Sequence, residues 1–390
     1  MNFDRIIDRS GSNALKLELR KKLFGREDVL PLWVADMDFP APLEVSQAIQ
    51  ERATHPLYGY TARDEAFYDA IVRWLKERHQ WEVEREWLEY MPGVVPALIL
   101  AIQAHTQPGD KVVIQPPVYP PFFDVVKDHD RVIEENPLVN TPDGYRIDFE
   151  HLDHITSVSD VKMLLFCHPH NPVGRVWTKD ELQQLSEICL RNNVMVVSDE
   201  IHADLTLFGH KHTPLATLGG EIAENTITLM APSKTFNIAG LNTAYMVAPN
   251  REIWKTMHKK LYAYHLHTGN MFGAEALKAA YHHCHQWLDE LLTYIEGNTG
   301  YVIAFIRENM PEVKVQRPEA TYLIWLDFSA WNMSTIQLKR FIVDEAGLGL
   351  NNGPSFGKQG MGFQRLNVAS PRQVIEEAMK RLLNARNQLF

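Results

Sequence analysis

Ile227-Thr228-Leu229-Met230-Ala231-Pro232-Ser233-Lys234-Thr235-Phe236-Asn237 is the stretch that decides how this chain folds. Its first four residues are apolar or β-branched, the pattern of a strand buried on both faces. A proline ends the run, and a lysine stands just beyond it. Upstream, Val194-Met195-Val196-Val197 closes on Ser198-Asp199-Glu200 in the same manner. Two buried strands thus each deliver an ionisable side chain at the carboxyl end, an amine in one case and a carboxylate in the other.

Working outward, strand patterns fall at residues 111–115, 131–135, 161–167, 194–198, 226–230 and 243–247, with helical periodicity at 94–105, 119–128, 179–191 and 251–264. Such alternation predicts an α/β fold with a mostly parallel sheet covered by helices, and ligands on these sheets bind outside the carboxyl ends of the strands. Residues 43–54 and 64–80 read as amphipathic helices. In front of them, Asp36-Met37-Asp38-Phe39-Pro40 closes an extended piece, because a residue before proline is pushed out of the helical region. A long helical pattern at 286–309 precedes strand-like runs at 313–316, 321–326 and 363–367 and helices at 334–346 and 371–387. The expected division is a large domain over 43–285 and a smaller α/β domain built from 1–42 and 286–390.

The 390 residues, 45% of them hydrophobic, suffice for roughly two to three domains. A net charge of −10 with no basic run argues against a nucleic-acid surface. Three scattered cysteines, Cys167, Cys189 and Cys284, suggest reduced thiols and a cytoplasmic setting rather than a disulfide frame. Met1-Asn2-Phe3-Asp4-Arg5 lacks the apolar core of a signal peptide, and no uncharged apolar run approaches the roughly 18 residues a membrane span needs. His282-His283-Cys284-His285 has the composition of a metal tract, with His282 and His285 on one helix face. No paired ligand motif exists elsewhere, so these are read as polar residues near a helix end and no metal is expected.

Other strand ends carry chemistry as well. Gly93-Val94-Val95-Pro96 places a glycine before a helical pattern, which leaves free backbone N–H groups suited to phosphate, although a glycine there can also serve only as a turn. Pro116-Pro117-Val118-Tyr119 brings an aromatic ring to a strand end, where it can cover a flat cofactor or simply close the core edge. His168-Pro169-His170-Asn171-Pro172-Val173-Gly174 makes a tight loop from which Asn171 projects. His202 lies three residues beyond Asp199, and Ser233 stands beside Lys234. An amine, a carboxylate, a phosphate seat and an aromatic ring on successive strand ends are what pyridoxal phosphate chemistry requires. The lysine forms a Schiff base with the aldehyde and the carboxylate keeps the pyridine nitrogen protonated.

Over nearly its whole length the chain resembles fold-type I pyridoxal phosphate enzymes of the class I/II aminotransferase superfamily. Within them it is most similar to the MalY/PatB group of cystathionine β-lyases, also called C–S lyases. Ala35-Asp36-Met37-Asp38-Phe39, Tyr58-Gly59-Tyr60, Asn171-Pro172-Val173-Gly174, Ser198-Asp199-Glu200-Ile201-His202, Ser233-Lys234-Thr235-Phe236-Asn237 and Arg365-Leu366-Asn367 carry the resemblance. It implies a seven-stranded-type sheet, with Lys234 as Schiff-base lysine and general base and Asp199 on the pyridinium nitrogen. Asn171 and His202 then face the phenolic oxygen and Tyr119 stacks on the ring. Val94, Val95 and Ser233 hold the phosphate, joined by Tyr60 from the second subunit of a homodimer. Arg365 clamps the substrate α-carboxylate, with Asn171 and Asp36 also at the substrate. Many aminotransferases carry tyrosine at the place of His202, and a phosphate-binding arginine eight residues after the lysine. Here that second place holds Asn242, a departure that the lyase group shares.

The expected activity is therefore α,β-elimination from cystathionine or another cysteine S-conjugate, releasing a thiol, pyruvate and ammonia. A broad-range aminotransferase is the first alternative. A pyridoxal-phosphate-binding regulatory or interaction protein is the second. The residues 351–354, Asn-Asn-Gly-Pro, are expected to border the substrate pocket.

Overall fold

The structure, a computed structural model, describes residues 1–389. Its largest sheet has seven strands: β1 (Leu88–Met91), β2 (Lys111–Ile114), β3 (Val132–Glu135), β4 (Val161–Cys167), β5 (Met195–Asp199), β6 (Thr226–Met230) and β7 (Ala244–Val247). They lie in the order β1-β7-β6-β5-β4-β2-β3. Only β7 runs antiparallel to its neighbours, β1 and β6. The six expected strands are present. β1 carries no strand pattern legible in the sequence, because Glu89 interrupts its apolar run and Pro92 follows so closely. The Glu89 carboxylate is accommodated by the Tyr90 N–H at 2.9 Å and by His258 at 2.5 Å.

The central strands are buried along almost their whole length, β6 at every residue. Helices Val94–His105, Pro121–Lys127, Lys179–Arg191 and Arg251–Ala263 pack around them. The helix Lys179–Arg191 starts at a reciprocal cap in which Thr178 accepts from the Glu181 N–H and Glu181 from the Thr178 N–H. The helix expected from residue 119 begins only at Pro121, since two consecutive prolines suit a helix entry and not its interior.

A second, four-stranded sheet orders Lys314–Val315, Leu323–Asp327, Phe363–Asn367 and Asn351–Asn352, all antiparallel. The helix expected at 334–346 is regular over Thr335–Arg340 and widens into a π turn over Phe341–Glu345. Where one helix end was expected around Cys284, two helices meet, Met271–His283 and His285–Asn309. His282 and His285 therefore sit on different helices rather than on one face, and the His285 Nε2 pairs with Glu77 at 3.4 Å.

The N-terminal segment returns to this part of the molecule. Leu30–Pro31 pairs in parallel with Leu348–Gly349. The Phe3 ring lies 5.1 Å from Phe39, 5.9 Å from Trp287 and 5.4 Å from Tyr294. Burying a large apolar side chain contributes roughly 1.5–3 kcal/mol, so this cluster can pin a segment with few hydrogen bonds of its own. Among the described residues no helix is long and apolar enough to cross a membrane.

Candidate active site

At the end of β6 the chain turns through extended Ala231 into the single helical turn Pro232–Thr235, which lifts Lys234 off the sheet edge. The Lys234 amine donates to the backbone carbonyl of Ala35 at 2.6 Å. Burial, with the nearby Arg365 guanidinium, pulls its pKa down to about 8, against the opposing pull of Asp36 and Asp199. A lysine so tuned gives up its proton far more readily near neutral pH than an ordinary lysine, and the free amine can attack a carbonyl or take a proton.

Asp199 closes β5, opposite Leu229 of β6 and Cys167 of β4. It is buried, and its carboxylate receives one hydrogen bond, from the Ile201 N–H at 3.1 Å. Burial pushes its pKa up to about 7, with Glu200 adding to the rise and the Ile201 N–H and Lys234 opposing it. A buried carboxylate so sparsely compensated fits a site built for a cationic partner.

Arg365 reaches the same place from the second sheet. Its Nη1 donates to Asn171 Oδ1 at 2.9 Å, and its Nη2 to Asn351 Oδ1 at 2.6 Å and the Trp33 carbonyl at 3.0 Å. The guanidinium carbon lies 4.9 Å from the centre of the Phe356 ring, and the buried Nε has no partner. Burial lowers its pKa to about 10, which still leaves a cation. Tyr119, past the cis Pro116-Pro117 bond, has its hydroxyl pKa raised by burial and feels the charges of Arg365 and Asp199. The His202 ring is buried with an unpartnered Nδ1. Burial, Lys234 and Arg365 push its pKa down to about 3, so it stays neutral.

The anion seat follows from the neighbouring strands. Met91 and Met230 pair with adjacent residues of β7, so Gly93 and Ser233 emerge from the same sheet edge. Gly93 has a φ of 152°, a region that favours glycine, and it opens the helix Val94–His105 without a side-chain cap. The N–H groups of Val94 and Val95, in the first helical turn, have no intrahelical acceptor. Amine, carboxylate, guanidinium and anion seat thus converge around one edge.

Residues 27–382 match the family model for aminotransferase class I and II. The chain belongs to the aminotransferase class I and II family. It is 44% identical over 382 residues to cystathionine beta-lyase PatB of Bacillus subtilis (strain 168), covering 98% of this chain and 99% of that protein. Protein MalY of Escherichia coli (strain K12) is 30% identical, with 98% of each chain covered. The crystal structure of cystalysin from Treponema denticola, which contains a pyridoxal 5'-phosphate cofactor, superposes with a TM-score of 0.96 at 38% identity. That match covers 100% of this chain and 99% of the other.

Within this family fold, Lys234, Asp199, Asn171, Tyr119, His202 and Arg365 are brought together. Asp36 lies close by, but its carboxylate is engaged by Arg9 Nη2 at 2.6 Å and faces Lys16 Nζ at 3.8 Å. Its neighbour Asp38 binds the same two cations at 2.8 and 2.6 Å. Tyr60 is 99% exposed on its own chain. At the place eight residues past the lysine, Asn242 is exposed and adopts a left-handed backbone with a φ of 46°.

Several participants were not legible as such. The Ala35 carbonyl, the Trp33 carbonyl and Tyr322 reach the site through folding alone, Tyr322 by donating to Ala35 at 3.0 Å. Two asparagines that ended the quoted motifs without a role hold the Ala35–Phe39 stretch in place. Asn237 exchanges hydrogen bonds with Met37 at 3.0 Å each way and donates to the Phe39 carbonyl at 2.8 Å. Asn367 donates to the Val34 and Asp36 carbonyls, each at 2.7 Å. Their recurrence at the ends of site motifs was the available signal.

Proposed function

We propose that this protein is a pyridoxal-phosphate-dependent carbon–sulfur β-lyase that cleaves cystathionine or a related cysteine S-conjugate to a thiol, pyruvate and ammonia. The observation that carries the reading is the convergence of Lys234, under-compensated Asp199 and Arg365 beside the uncapped helix start at Gly93. The residues fit the cofactor. Lys234 can bond its aldehyde and Asp199 can pair with its ring nitrogen. Tyr119 can cover its ring, Asn171 and His202 can face its phenolic oxygen, and the Val94 and Val95 N–H groups with Ser233 can hold its phosphate. When bound, pyridoxal phosphate supplies an electrophilic carbon for the substrate amine and a ring that accepts the electron pair left at Cα.

The protein's own residues supply the rest. Arg365 pairs its unspent donors with the substrate α-carboxylate, and Asn171 and Asn351 hold the guanidinium plane. Lys234 takes the Cα proton, a task suited to an amine depressed toward neutrality. Loss of that proton is followed by cleavage of the Cβ–S bond, with the electron pair leaving on sulfur as thiolate. Asp199 would pair with the ring nitrogen and keep a proton on it. Likeness to cystathionine beta-lyase PatB and the uncharged Asn242 favour elimination over amino transfer.

The reading extends to a cytoplasmic homodimer in which the exposed Tyr60 completes the phosphate seat of the second subunit. It also groups residues 43–285 as the cofactor-binding domain, with 1–42 and 286–390 as the smaller one. The pairing of Leu30–Pro31 with Leu348–Gly349 supports that grouping.

One purification with two assays tests it. Protein prepared with pyridoxal phosphate should be yellow, and borohydride should fix the cofactor to wild type but not to Lys234→Ala. Cystathionine should yield thiol and pyruvate with no keto acid added. Turnover that requires a keto acid would instead establish an aminotransferase, and a protein with no affinity for the cofactor would overturn both.

A further inference from the structure

A second polar cluster, centred on buried side chains, abuts the same strand ends and has no part in the chemistry above. Its hub is Asp204. Oδ1 accepts from Trp74 Nε1 at 3.1 Å and from His79 Nε2 at 2.8 Å, and Oδ2 accepts from Thr235 Oγ1 at 2.8 Å. Trp74 is itself immobilised, stacked on Tyr281 at 4.6 Å and packed edge-on against Phe236 at 5.6 Å. His79 ends the helix Glu65–His79 and holds Asp204 from that helix's last turn. His79 and Thr235 outweigh burial and hold the Asp204 carboxyl below its usual range, so the hub is an anion.

A buried anion is a costly way to fill space, and apolar packing would serve stability as well. What distinguishes this one is the residue it reaches. Thr235 is the immediate neighbour of Lys234, on a helical turn of four residues. One turn cannot hold its own orientation, because nucleating a helix is unfavourable. Its few backbone ties are Phe236 N–H to Pro232 O at 2.9 Å and Ile238 N–H to Ser233 O at 3.0 Å. On its far side Asn237 clamps the Met37–Phe39 stretch. Among the described residues, Asp204 is the one charged side chain hydrogen-bonded to the turn from within the core.

We propose that Asp204, oriented by His79 and Trp74, is a positioning residue for the catalytic lysine, acting through the Thr235 hydroxyl to fix the turn that carries Ser233 and Lys234. The proposal rests on the pyridoxal phosphate reading and extends it to residues that do not touch the cofactor. It predicts that the hydroxyl of Thr235, and not its bulk, matters for cofactor seating.

The test compares Thr235→Val, which keeps the shape and loses the donor, with Thr235→Ser, which keeps the donor. Each is purified as holoenzyme, and resolved protein is titrated with pyridoxal phosphate by absorbance. For Thr235→Val the cofactor Kd should rise about tenfold and kcat should fall with KM unchanged, while Thr235→Ser should stay within about twofold of wild type. Equal impairment of both variants, or a Thr235→Val protein that only melts earlier and binds cofactor normally, would overturn the proposal. A wild-type protein that takes up no pyridoxal phosphate would instead overturn the functional reading on which it stands.

Discussion

Arg365 and Asn171 meet through a 2.9 Å hydrogen bond from Nη1 to Oδ1, joining the second sheet to the loop that follows β4. The bond consumes one donor of the guanidinium and fixes its plane, leaving Nε without a protein partner. Replacing Arg365 by lysine keeps a charge and loses the fork. The expected result is a kcat/KM lower by about 100-fold, mostly through KM, because two charge-assisted hydrogen bonds are lost. Pyruvate release across a range of substrate concentrations measures it, and an unchanged KM would remove Arg365 from carboxylate binding.

Asp199 makes cofactor-free protein sensitive to pH. Its folded pKa of about 7 lies above the ordinary 3.8, so between these values the folded state binds more protons than the unfolded one. The stability it contributes is complete below the ordinary value and is lost as pH rises through about 7. Urea unfolding of cofactor-free protein should show that decline, and Asp199→Asn should flatten it. A variant whose profile matches wild type would show that another group controls the window.

Tyr322 and Lys234 share the Ala35 carbonyl, at 3.0 and 2.6 Å. In Tyr322→Phe the carbonyl keeps the lysine as donor, so no buried acceptor is orphaned. The loss should be limited to about 1 kcal/mol of unfolding free energy, the net worth of one hydrogen bond, with cofactor uptake preserved. Denaturant unfolding and a cofactor titration on the same preparation check the two halves of this expectation.

Gly93→Ala tests the anion seat. At a φ of 152° an L side chain is strained, and its Cβ would come within 3.3 Å of Pro96 Cδ. The first helical turn must shift to relieve that contact, which should weaken pyridoxal phosphate binding by about tenfold, a cost of the order of such backbone strain. Equal affinity in the variant would place the phosphate elsewhere.

The alternation of apolar strand and amphipathic helix made the large sheet legible, as did the ionisable residues at 199 and 234, because burial on both faces writes a local apolar run. β1 is hidden because Glu89 breaks that run, its carboxylate being hydrogen-bonded by His258 from a distant helix. The histidines at 282 and 285 read as one helical face because periodicity does not reveal that Cys284 separates two helices. The roles of Asn237 and Asn367 were hidden for a related reason. Both hold backbone carbonyls of a segment roughly 200 to 330 positions away, which no local pattern encodes.

By itself, then, the order of residues determined which side chains stand at strand ends, because the end of a buried strand is a local property of the chain. The tertiary structure decided which of them meet and in what electrostatic state. Lys234 finds its acceptor 199 residues away and Arg365 its asparagine 194 residues away. The depressed amine and the raised carboxyl arise from burial that only packing of the two sheets and the N-terminal segment creates.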